Sequence, residues 1–244
     1  YRSIKKKNLL KKKLNYLNNK KKIQFHKFSF SNEENISKSI QKNKKTFLNT
    51  DLLILTVAEQ GQISNFFEMN LEQFKKTFFI NFIFYIVFFR KLAPILRKKK
   101  KMLVILFSGG GSTSYRKNFS IYSLTKLGLV KLTEILSNEI LNKNIRFNIL
   151  SPGIIKSNMT KKILHSKKKV SSNELNKILK NLNYTDDNII KIYKTINFLN
   201  SKKGKLISGK FISSSWDAIY DMKQKKLNQL LKSDYYTLRR KEFI

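Results

Sequence analysis

Tyr122 and Lys126 stand four residues apart, and Ser108 closes an apolar run, KMLVILFS (101–108), ahead of them. A phenol of pKa about 10 is a poor base near neutrality, and a neighbouring ammonium stabilises the phenolate and brings that pKa toward the working range. A serine at the mouth of a strand can reach the same substrate oxygen. The Tyr-x-x-x-Lys pair alone says little in so lysine-rich a chain, since Tyr1/Lys5 and Tyr16/Lys20 repeat it. Its setting carries the weight. A glycine-serine loop follows Ser108, and FSIYSLTKLGLVKLTEILSNEIL (119–141) has the periodicity of a long amphipathic helix, which puts Tyr122 and Lys126 on one face.

The elements that must position these residues alternate. The pattern predicts helix 4–19, strand 22–29, helix 33–48, strand 51–57, helix 71–97, strand 102–108, helix 119–142, strand 145–150, helices within 158–200 and strand 205–212. Strands separated by helices imply right-handed crossovers and a doubly wound parallel sheet, an α/β fold with helices on both faces. DLLILTV (51–57) is almost continuously apolar, as a strand covered on both sides should be. The 244 residues suffice for a single domain with a substantial core.

Composition removes several chemistries. With no cysteine there is no disulfide, thiolate nucleophile or Cys-based zinc site, and His26 and His165 stand alone among lysines, so no metal is expected. The net charge of +36 would ordinarily point to nucleic acid or an anionic surface. All but seven of the 51 basic residues are lysine, however, and they are spread along a chain rich in Asn, Ile, Leu and Phe. Codon bias in an adenine/thymine-rich genome accounts for that mixture, and no specific nucleic-acid partner is expected. FFINFIFYIVFF (78–89) is short and interrupted by Asn81, which suits a buried helix better than a membrane span. No secretory signal is visible at the start, so a cytoplasmic location is expected.

LVILFSGGGSTSYRKNFSIYSLTKLGLVKLTEILSNEI and RFNILSPGIIKSNM resemble the core of classical short-chain dehydrogenases/reductases, with every element in the family's order from about residue 1 to about 240. The resemblance implies a Rossmann-type fold and an NAD(P)-dependent oxidoreductase that moves hydride between nicotinamide, as NAD or more readily NADP, and a small-molecule carbonyl or alcohol. It makes Tyr122 the general acid/base and Ser108 the hydrogen-bonding partner of the reacting oxygen. Lys126 binds the nicotinamide ribose and acidifies the tyrosine, and Asn81 positions a water in the proton relay. Pro152-Gly153, Ile155 and Ser157 match the segment that holds the nicotinamide carboxamide, Ala58 keeps one position of the family's Asn-Asn-Ala-Gly turn, and Arg2 could meet a 2′-phosphate.

Departures from the family's pattern accompany these matches. Ser108 and Tyr122 are one residue further apart than usual, which lengthens the glycine turn 109–111. Thr56-Val57-Ala58-Glu59 replaces Asn-Asn-Ala-Gly, and Ser29 stands where an aspartate approaches the adenine. The first strand and its glycine-rich phosphate loop do not precede residue 22, so the single domain 1–244 is read as N-terminally truncated or degenerate. Residues 158–185 correspond to a substrate lid, and 213–244 form a C-terminal extension whose Tyr236 to Arg240 matches a subgroup of the family. Helices 71–97 and 119–142, bearing Phe82, Phe89 and Leu129, are expected to pair into a homodimer or homotetramer. Two other functions stay open: a cofactor-impaired remnant acting as a structural or partner-binding protein, and a basic nucleic-acid binder.

Overall fold

The computed structural model describes residues 26–240. Four parallel strands, β1 (Leu52–Leu55), β2 (Met102–Phe107), β3 (Ile145–Ser151) and β4 (Phe211–Ser213), pair in sequence order. Alternate residues of β2 enter opposite cores: Val104 and Leu106 join Phe84, Phe88 and Leu92 on one side, whereas Leu103 and Ile105 join Ile196, Leu199 and Leu227 on the other. This double burial is why the strands read as unbroken apolar runs. β1 lies at the outer side of β2, with Ile54 42% exposed. Beyond β4, the backbone N–H of Phe211 donates to the carbonyl of Tyr236 at 2.7 Å, so the C-terminal extension covers that edge.

Helices fill both faces. α1 (Glu33–Lys42) starts where the Asn32 side chain accepts from the Asn35 N–H at 2.8 Å, with Glu33 and Glu34 in its first turn. The predicted helix 33–48 breaks at Asn43, whose side-chain amide donates back to the Ser39 carbonyl, and resumes as α2 (Lys44–Leu48). α3 (Leu71–Phe78) and α4 (Phe84–Lys98) are joined by a π-helical turn, Phe79–Ile83, centred on Asn81. Together they are long and apolar enough to cross a membrane by composition, yet Phe84, Tyr85, Phe88, Phe89 and Leu92 are spent on the sheet's core. α5 (Ser120–Glu139) follows β2 and α6 (Asn158–His165) follows β3. α7 (Ser172–Leu182), α8 (Thr185–Leu199) and α9 (Gln224–Lys232) complete the layers.

Three sequence expectations change. Residues 26–29, the described part of predicted strand 22–29, have no strand conformation; Phe28, and Phe30 just after it, pack on Phe88 and Phe84. Strand 51–57 ends at Leu55 because the following residues turn over the sheet's end, held there by α3 and α4. Strand 205–212 contracts to Phe211–Ser213, since Gly204–Leu206 winds into a 3-10 turn. Helix 4–19 lies outside the described residues.

Candidate active site

In a parallel α/β sheet the ligand crevice opens beyond the carboxyl ends of the strands. Ser108 immediately follows β2 and is buried, and its Oγ is without a hydrogen-bond partner. A hydroxyl isolated in this way carries a cost unless something binds it. The next residue, Gly109, lies so close to Tyr122 that a Cβ there would fall on the phenol oxygen. Glycine is therefore what lets the phenol reach the loop beside Ser108. Ser112, a conceivable substitute for Ser108, already donates its hydroxyl to the Gly109 carbonyl at 3.0 Å.

One turn along α5, Lys126 is buried, donates from Nζ to the Phe107 carbonyl at 2.8 Å and sits 5.6 Å from the centre of the Tyr122 ring. Burial pulls its pKa down to about 8. Burial likewise pushes the Tyr122 phenol up, with the Arg116 guanidinium acting in the opposite direction. Arg116, which the motif does not contain, thus adds a positive charge that favours the Tyr122 phenolate.

Asn81 is fully buried. Its side chain accepts from the Glu59 N–H and donates to the Glu59 carbonyl, both at 2.8 Å. Thr77 and Tyr85, one turn to either side, donate to the Glu59 carboxylate and the Val57 carbonyl at 2.7 Å each. Thr77, Asn81 and Tyr85 thereby grip the turn around Ala58. Glu59, standing in place of a glycine, is accommodated because its carboxylate finds the Thr77 hydroxyl.

At the end of β3, Pro152 and Ile155 are half-buried, and Gly153 has φ 74° and packs against Ser215 and Asn188. Ser157 caps α6, accepting from the Thr160 N–H at 3.2 Å. Arg2 lies outside the described residues, and Ser29 exchanges hydrogen bonds with Ser39. The segment 158–185 has a small core, in which Ile163, Val170 and Ile178 pack on Ile63 and Phe119. A cleft of about 1300 Å³ opens between α6 and the start of α3, bordered by Gln62, Gln73 and Lys162; neither Ser108 nor Tyr122 lines it. Among the described residues no group of acidic or histidine side chains could hold a metal.

Two residues escaped the motif reading. Gln60 is buried with both ends of its amide unpaired, beside the gripped turn. Arg116 binds Glu174 of α7 through Nε and Nη2 at 3.0 and 2.6 Å and stacks over Phe119, 3.7 Å from the ring centre. The only sequence signal for Arg116 is its place in the loop between Ser108 and Tyr122.

Residues 3–214 match the family model described as enoyl-(acyl carrier protein) reductase. No curated protein matches the sequence. Among solved structures, a short-chain dehydrogenase of Shigella flexneri complexed with NADP superposes with a TM-score of 0.69 at 15% identity, over 88% of this chain and 84% of that one. An oxidoreductase of Escherichia coli gives 0.66 at 15%, over 85% and 81%. A short-chain dehydrogenase of Escherichia coli complexed with NADPH gives 0.67 at 14%, over 85% and 82%.

Proposed function

The chain belongs to the short-chain dehydrogenase/reductase family, and from that premise we propose that it is an NAD(P)-dependent oxidoreductase acting at a carbonyl or alcohol carbon, with Tyr122 as acid/base. One observation carries the reading: the buried, unpartnered Ser108 Oγ next to the glycine on which the Tyr122 phenol rests. A substrate oxygen entering there would receive a hydrogen bond from Ser108 and a proton from Tyr122, and in the reverse direction would return that proton.

The same residues fit the nicotinamide end of a dinucleotide. Tyr122 and Lys126 from α5 and Pro152, Gly153, Ile155 and Ser157 after β3 would flank it, with Ala58 in the turn after β1. A nicotinamide held there would supply or accept the hydride. Lys126 would hold its ribose and, once desolvation is relieved by ligand hydroxyls, regain charge beside the phenol. Asn81 would keep the 57–59 turn in place beside the position of a relay water. NADP is favoured over NAD by the two structural neighbours solved with NADP and NADPH.

The test is turnover by the purified chain with NADPH and NADH against a panel of aldehydes, ketones and enoyl thioesters. Oxidation of NADPH that is lost in Tyr122→Phe is expected. Absence of turnover with every member would favour a second reading, a protein that keeps the fold without catalysis. One observation supports that alternative: burial drives both Tyr122 and Lys126 toward their uncharged forms.

A further inference from the structure

We propose that Arg116 is a positioning residue that locks the 158–185 lid onto the catalytic loop, its ion pair with Glu174 setting α7 above the glycines between Ser108 and Tyr122. The proposal rests on the reading of Tyr122 given above. Its geometry is independent of any ligand.

The pair joins two elements far apart in sequence and is largely shielded, with side chains 14% and 25% exposed. Both guanidinium nitrogens converge on one carboxylate oxygen, the charge-assisted arrangement that is strong and directional. Glu174 also departs from its local role. Ser171-Ser172-Asn173-Glu174 is a capping-box sequence, in which the glutamate would turn back to the cap residue's N–H. Ser171 does accept from the Glu174 N–H at 3.3 Å, but the Glu174 carboxylate reaches across to Arg116 instead. Arg116 is held from its other side by the Phe119 ring. Asn118 donates to the Lys169 carbonyl at 2.7 Å, and Lys162 Nζ to the Gly61 carbonyl at 2.8 Å, so the lid has one further tie to the catalytic loop and one to the loop after β1. Neither of those is an ion pair.

Arg116 lies 3.7 Å from the position a Cβ on Gly110 would occupy, and the Tyr122 phenol lies against Gly109, the preceding residue. The guanidinium that fastens the lid therefore lies against the glycine next to the one the phenol touches, and its positive charge favours the phenolate. Lys126 on its own helix and Tyr85 from α4 also face Tyr122, and the Glu174 carboxylate sits on the guanidinium itself. Lys126 is drawn toward neutrality by burial, whereas a guanidinium stays charged at any working pH. Closing the lid and supplying positive charge to the phenol thus fall on one side chain.

Hydrogen exchange on the ligand-free chain tests the lock without requiring turnover, so failure of the proposed activity and failure of the lock are distinguishable. Arg116→Gln and Glu174→Gln should each speed amide exchange within 172–182 by about tenfold while β2 and β3 remain protected. The charge-reversed double variant, Arg116→Glu with Glu174→Arg, should recover most of the protection. Unchanged exchange in both single variants, or no recovery in the reversal, overturns the proposal. In turnover, Glu174→Gln should raise KM without moving the rising limb of the oxidation profile to higher pH, since it removes the carboxylate that offsets the guanidinium. Arg116→Gln should also move the rising limb of the oxidation profile to higher pH, and Arg116→Lys should keep that limb near its original position. A limb that stays in place in Arg116→Gln overturns the electrostatic role. Should Arg116→Gln fail to fold, Glu174→Gln reads the lock alone and Arg116→Lys, compared with the unmodified chain, reads the charge.

Discussion

Asn81 and Glu59 exchange two hydrogen bonds of 2.8 Å, side chain to backbone in both directions, across 22 residues of sequence. The π-helical turn in the α3–α4 helix sets Asn81 facing the turn after β1, and the asparagine amide matches the backbone donor and acceptor of the single residue Glu59. Replacing Asn81 by Leu keeps the volume and leaves the Glu59 N–H and carbonyl without their partner. A loss of about 2–4 kcal/mol is expected. Denaturant unfolding should show a lower midpoint with an unchanged slope; a midpoint within error of the original would mean that water satisfies both groups.

Much of this was legible in the sequence. The apolar runs 102–108 and 145–150 and the 3.6-residue period of 119–141 place β2, β3 and α5 within a residue or two, because burial on both faces of a sheet leaves an unambiguous pattern. The spacing of Tyr122 and Lys126 likewise fixes their common helix face. Less legible were features set by long-range contacts. Residues 56 and 57 continue an apolar, β-prone run, yet tertiary hydrogen bonds from Asn81 and Tyr85 pull the chain out of the strand just beyond them. The lysines and asparagines of 158–185 conceal a small core, to which Ile163, Val170 and Ile178 bring buried side chains and Leu164, Leu175 and Leu182 partly buried ones. Arg116 carries no motif at all; its importance exists only once α7 is folded over it.

Removing the Tyr122 hydroxyl should cost catalysis far more than stability. Tyr122→Phe retains the ring packed beside Gly109 and deletes the proton donor, so turnover should fall by about two to four orders of magnitude. Ser108→Ala should cost less, because polarisation of the substrate oxygen is shared with the phenol. Steady-state rates with the best carbonyl substrate, set against thermal midpoints for both variants, measure the difference. A Tyr122→Phe enzyme with near-normal hydride transfer would move the active site elsewhere.

Lys126 makes folding stability depend on pH in a defined window. Its folded pKa of about 8 lies below the ordinary lysine value of about 10.4, so between these limits the unfolded chain holds a proton that the folded chain has released. Stability contributed by this group therefore rises with pH across that window, by up to about 3 kcal/mol. Lys126→Met lacks the titrating group. The unfolding free energy of the original chain relative to Lys126→Met should increase as pH rises from about 8 to about 10, and parallel curves would contradict the buried titrating amine.

Self-association should use a face of α5 different from the one first expected. Leu129 and Phe89 are buried within the chain's own core, and the Phe82 ring packs so closely on Gly128 that a Cβ there would overlap it. Leu124, Leu127 and Ile135 are exposed by 47%, 40% and 39% on the same helix. Spacings of three and eight residues set them along one side of it, an apolar strip interrupted by Lys131. A second copy related by a two-fold axis would bury this strip against its own counterpart. Sedimentation should show a dimer or tetramer at micromolar concentration that dissociates in Leu124→Lys/Leu127→Lys. The large positive charge should make that assembly stronger in added salt, because screening weakens repulsion between copies while leaving apolar contact intact. A monomer at all salt concentrations would show that the strip is ordinary surface.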